Sequence, residues 1–230
     1  MILGRLRTAT AKAITLGLLI AATTIGLGTE APRAQFESEQ CFNALMMGPS
    51  GLKPVAEKAG ASHSDYVALL AANINVNIAS GQPLIHVADL WDMRNLSVDE
   101  KVAMRNTIAK LRSAIADYIV VALASELRRV TPRFLTRDGR FTPPAIKSVR
   151  PLGTPPTRYA YDIAPPPGDY GVPIPAISLL VGRDDCKLVD MGLANASFLT
   201  SIGQDIKTIG DLAEAERQLR AKSAEIAAAQ

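Results

Sequence analysis

The order of hydrophobic periods along the chain predicts an α+β fold: helices first, then three to four antiparallel strands, then helices again. Three observations carry this. Ser97-Val98-Asp99-Glu100 is a capping box at the head of a long apolar stripe with helical spacing. Tyr159, Tyr161 and Ile163 alternate with Arg158, Ala160 and Asp162, the period of a half-buried strand. Phe198, Leu199, Ile202, Ile206 and Ile209 then return to one helical face.

At the N-terminus Arg5, Arg7 and Lys12, with no acid among them, precede an apolar stretch over 13–28. That is the charge order of a secretory signal, and the stretch is shorter than the roughly twenty apolar residues a spanning helix needs. Residues 1–34 are therefore read as a signal peptide cleaved after Ala34, with Gly28 and Ala31 as other small-residue cleavage points. An uncleaved anchor is the alternative and would leave the rest of the chain in the same place, outside the cytoplasm, most simply a bacterial periplasm. Residues 35–230, about 196 of the 230, then form one domain, long enough to bury roughly 70% of its unfolded surface.

The next elements follow in order. A short helix over 41–47 ends at Gly48-Pro49-Ser50-Gly51, and a brief helical piece over 53–58 follows. Val67, Leu70, Ala71, Ile74 and Ile78 predict a helix from Ser64, stopped by Gly81-Gln82-Pro83. Pro83 suits the first turn of another short helix over 84–91. The capped helix carries Met104, Ile108, Leu111, Ile115, Tyr118 and Ala122, and 119–123 is apolar on every side. Thr131-Pro132 ends it.

Beyond it, Asp138-Gly139 is a tight-turn pair, 145–152 a weak strand candidate, and 174–181 and 187–191 two stronger ones joined by Arg183-Asp184-Asp185. Pro165-Pro166-Pro167-Gly168 is an extended loop between strands. Leu212, Ala215, Leu219 and Ile226 carry the last amphipathic helix.

Activated groups are scarce. The formal charge is only +3, and no lysine and arginine block tracks a phosphate backbone, which argues against a nucleic-acid partner. His63 lies among polar residues before a helix and reads as a capping or solvated residue; His86 lies in an apolar run and reads as a core or rim histidine. Asp89, Asp92, Asp99 and Glu100 near Trp91 lack the oxygen spacing and glycine turn of a hard-metal loop. No Gly-rich phosphate loop, Cys-x-x-Cys or Gly-x-Ser-x-Gly occurs.

Cys41 and Cys186 are the only cysteines, and one pairing is possible; the sequence leaves open whether they pair or whether Cys41 is free as a nucleophile. No enzyme, metal or cofactor is expected. The positive signal is apolar, and periodicity is equally compatible with a thick core and with a ligand cavity.

Several stretches resemble one family. Ser64-Asp65-Tyr66-Val67, Leu90-Trp91, Leu96-Ser97-Val98-Asp99-Glu100-Lys101, and the long helix with Leu111 and Tyr118 are similar to the first half of periplasmic MlaC-like proteins, the toluene-tolerance or phospholipid-shuttle family. Ile177-Ser178-Leu179-Leu180-Val181, then Lys187-Leu188-Val189-Asp190-Met191-Gly192-Leu193, Phe198 and Ile209-Gly210-Asp211-Leu212 are similar to that family's last hairpin and tail. The departures are Cys186 where the family often has tryptophan, Leu193-Ala194-Asn195-Ala196 in place of its usual turn, and the proline-rich run 151–175.

The resemblance implies helices on a twisted antiparallel sheet around an apolar pocket that binds phospholipid acyl chains. As partners it implies an inner-membrane ABC transporter complex and an outer-membrane lipoprotein complex, with the lipid as cargo rather than cofactor. By matching position, Val120, Val121, Leu123, Tyr159, Tyr161, Ile163, Ile177, Leu179 and Val181 would line the pocket. A phospholipid, a hopanoid or another membrane lipid fits equally, and a non-catalytic envelope structural or interaction protein is the alternative.

Overall fold

The computed structural model describes residues 30–164, 177–193 and 196–229. The expected export segment lies outside them, except for 30–34 at the start of the first helix, and so does the whole loop over 165–176, with Pro165-Pro166-Pro167-Gly168, between two of the strands. The chain divides into two compact units, Met1–Glu39 and Gln40–Gln230. In the first, the described residues open helix α1 (Glu30–Met47), where the Ser38 hydroxyl donates to the Gln35 carbonyl at 2.7 Å. The second holds the rest of α1 and every other element. Among the described residues no helix is long and apolar enough to cross a membrane.

α1 starts well before the short helix expected over 41–47 but stops where the sequence predicts, its end tightened by the Gly48 amide donating to the Asn43 and Ala44 carbonyls. The single turn and a half of α2 (Leu52–Ala56) leads to α3 (His63–Asn73). Asp65 secures the head of α3: it accepts from the Ser62 amide at 2.8 Å and pairs with Lys58 at 2.7 Å. These donors, Lys58 first, hold its carboxyl down at about 2.

The stripe that predicts one helix from Ser64 through Ile78 is in fact broken. Ile74 is extended and bridges Leu188, and the Asn75 amide donates to the Leu188 carbonyl at 2.7 Å. A long-range backbone bond thus replaces a helical one. Asn75 then restarts the chain, its side-chain oxygen accepting from the Ile78 amide at 3.2 Å to cap α4 (Val76–Ile85). Gly81-Gln82-Pro83 falls inside α4 instead of ending it, with Pro83 in the last turn, two residues before the helix stops. The expected helix over 84–91 is divided between the end of α4 and a 3-10 turn, Ala88–Trp91.

The capping box does what its spacing predicts. The Glu100 amide donates to Ser97 Oγ at 3.3 Å and the Ser97 amide to Glu100 Oε2 at 2.8 Å, opening α5 (Val98–Val130). No residue of its first three turns is buried, so Met104 and Ile108 are only half-covered. The buried stripe starts at Leu111 and runs through Ala114, Ile115, Ile119, Ala122, Leu123 and Ala124. The 3-10 turn Thr131–Phe134 then leads the chain toward the sheet.

The sheet is an open antiparallel meander in the order β1-β2-β3-β4-β5: Ala145–Leu152, Arg158–Ala164, Ile177–Gly182, Leu188–Leu193 and Ala196–Ser197. It has five strands where the sequence predicts three to four. The weak candidate is a full edge strand, and β5, only two residues long, is too short to show any period.

Registers place Ile163 opposite Ile177, Tyr161 opposite Leu179, and Tyr159 opposite Val181. All six are buried, so the alternation read from sequence is the inner face of the sheet. α6 (Phe198–Ile209) and α7 (Leu212–Ala228) follow, separated by Gly210 at φ +73°, the left-handed stop that glycine adopts without steric cost. α7 packs along α5.

Cys41 of α1 and Cys186 of the β3–β4 turn form a disulfide, with Cα atoms 4.8 Å apart across a sequence separation of 145. The bond resolves the pairing left open by the sequence. It also removes the Cys41 thiol as a nucleophile.

Candidate functional site

The inner face of the sheet is divided along its strands. At the end nearer the disulfide it is packed solid: Tyr159, Tyr161 and Val181 are at most 1% exposed, and the Tyr161 ring meets Phe42 at 5.6 Å and Tyr159 at 6.3 Å. Burial of its ring pushes the Tyr161 phenol well above the ordinary tyrosine range, as a deep core position requires.

Toward the other end, where Ile163 near the end of β2 pairs with Ile177 at the start of β3, the face and α5 part around a cavity of about 340 Å³. The sheet contributes Ile163, Ile177, Leu179 and Met191 to its wall, and α5 contributes Leu123, Leu127 and Val130 at spacings of four and three. Met46, Leu52, Phe134, Pro144 and Phe198 close it. A second cavity of about 80 Å³ reaches toward Leu69 and Leu70 of α3 and shares Met46, Leu52, Leu123, Leu127, Leu179 and Met191 with the first.

Polar groups in the wall are few. Glu126, Arg129 and Arg133 stand along α5 and the turn after it, and Ser201 lies on α6. Arg129 donates twice to Glu126 Oε2, at 3.0 and 2.6 Å, with both side chains about half exposed, so this edge faces water. The remainder offers a ligand hydrocarbon contact. Among the described residues no group of three or more histidines, cysteines or carboxylates could hold a metal ion.

Four of the residues named from the sequence, Leu123, Ile163, Ile177 and Leu179, lie on the cavity wall. Tyr159, Tyr161 and Val181 share the sheet face but belong to the packed end, and Val120 and Val121 are half-buried and off the wall. The lining that sequence reasoning missed includes Leu127 and Val130, whose signal was the continuation of the Leu123 spacing down α5. Met46, Phe134 and Met191 had no local signal, since long-range packing brings them together.

His86 is exposed, against Gly203 of α6, rather than part of a core. His63 is the first residue of α3, and both its ring nitrogens lie out of contact with water and without a hydrogen-bond partner. Burial, and then the nearby Arg128 charge, lower its pKa.

One polar knot shapes the cavity floor. Asp190 accepts from the Met191 amide at 2.8 Å, the Leu199 amide at 3.2 Å and the Ser197 hydroxyl at 2.5 Å, tying β4 to the head of α6. Gly192 lets the strands close there, because a Cβ would stand 2.6 Å from Ser178 Oγ and 2.8 Å from the Ala196 carbonyl oxygen. Burial outweighs the three donors and raises the Asp190 carboxyl above the ordinary range.

A raised folded-state value means that the folded protein binds this proton more tightly than the unfolded chain. Stability from this group is therefore fully present at low pH and is lost as pH rises through the folded value. In thermal melts from pH 3.5 to 7, the advantage of the native protein over Asp190→Asn is expected to shrink as pH rises; a difference that grows would contradict the assignment.

The fold and site together define an α+β protein with an apolar cavity between an open meander sheet and a long helix. Neither a protein-family model nor a curated protein sequence matches the chain.

Proposed function

We propose that this protein is a non-catalytic lipid carrier of the periplasm, binding phospholipid-type lipids by their acyl chains and shuttling them between outer- and inner-membrane complexes as an auxiliary to an ABC transporter. The observation that carries the binding reading is the 340 Å³ cavity, whose wall is apolar except along one water-facing edge. That is the form a hydrocarbon site takes, and each CH2 moved into it from water contributes about 0.8 kcal/mol. The disulfide fits an oxidising compartment, which supports the exported reading. The resemblance of 64–67, 96–101, 177–181 and 187–193 to MlaC-like proteins supports the carrier role and its two membrane partners.

The test is native mass spectrometry with lipid extraction on the protein purified without detergent from its own envelope. A lipid retained at one copy per chain is the expected result. A protein that emerges empty, and stays empty after incubation with lipid, would instead favour an envelope interaction protein whose apolar faces only pack.

A further inference from the structure

We infer that the cavity takes one acyl chain, so that the cargo is a monoacyl amphiphile rather than a two-chain phospholipid. The inference rests on the lipid-binding reading above and replaces its two-chain cargo with a single-chain one. Its ground is volume: a dry cavity of about 150 Å³ accepts a six-carbon ring, so by proportion 340 Å³ holds about 14 carbons, and about 17 with the adjoining 80 Å³. That is the hydrocarbon of a single membrane-lipid chain, and a second chain asks for as much again.

Among the described residues, the surroundings bound the cavity on three sides. Toward the disulfide the same sheet face is filled by Tyr159, Tyr161 and Val181, so the cavity lengthens there only by expelling the aromatic core. Toward α3 the smaller cavity ends on buried Leu69 and Leu70. On the floor, Gly192 and the Asp190 knot hold β4, β5 and α6 closely together.

The polar side chains of the wall are grouped on α5, its following turn and α6. This gives one wet edge where one head group meets solvent while its chain runs inward. A fatty acid and a lysophospholipid share this chemistry, one apolar chain ending in one anionic or polar head.

The experiment uses delipidated full-length protein, incubated separately with palmitate, 1-palmitoyl-lysophosphatidylglycerol and dipalmitoyl-phosphatidylglycerol, and read by native mass spectrometry. One copy of palmitate or of the lysolipid is expected to stay bound, with occupancy by the two-chain lipid at least about tenfold lower; which single-chain probe binds better identifies the source. Equal or greater occupancy by the two-chain lipid overturns the inference and leaves the lipid reading standing. If none of the three binds, the lipid reading falls with it.

Discussion

The Cys41→Ser, Cys186→Ser double variant is expected to melt far below the native protein. The bridge closes a loop with a sequence separation of 145, and a chain-entropy estimate for such a loop is roughly 4 to 5 kcal/mol. For a domain of this size that corresponds to a fall in Tm of roughly 10 to 20 °C. The bridge joins a buried position of α1 to the turn between β3 and β4.

Losing it frees the segment that supplies Leu45 and Met46 to the cavities, so any bound lipid should exchange faster as well. Calorimetry of the variant, and of the native protein with and without reductant, checks this. A reduced native protein that melts with the oxidised one, while its thiols are shown to be free, would rule out a stabilising role for the bond.

How much of this was legible in the sequence depends on the range of the interaction concerned. Ser97 and Glu100 are three residues apart and bond each other, so the start of α5 could be read directly. The alternation of Tyr159, Tyr161 and Ile163 is equally local, and it became the inner face of β2. The break at Ile74 and Asn75 could not be read, because its cause is the Leu188 carbonyl more than a hundred residues away.

The cavity follows the same rule. Its α5 wall extends a spacing visible in the sequence, whereas Met46, Phe134 and Met191 meet only after the sheet has formed. The division of one sheet face into a packed and an open end was also hidden. Tyr161 and Leu179 are register partners with the same period-two signature, yet Tyr161 is walled in by Phe42 while Leu179 borders empty space.

Leu179→Arg is expected to abolish retention of lipid, reducing occupancy by at least about tenfold. Leu179 borders both cavities, so a longer charged side chain there occupies the volume and carries its own hydration into it. A guanidinium left buried without a partner costs roughly 3–5 kcal/mol, and reaching the wet edge near Glu126 reduces that cost. Because this variant risks misfolding, two companions separate the causes.

Met191→Trp fills the same space without charge and should lower lipid occupancy while the near-ultraviolet circular dichroism stays native-like. Val121→Arg places the same charge on α5 two residues before Leu123, at a half-buried position off the wall, and should leave occupancy unchanged. Loss in the first two with retention in the third locates binding in the cavity between sheet and helix. Full retention in a folded Met191→Trp protein would mean that the lipid, if one is carried, lies elsewhere on the molecule.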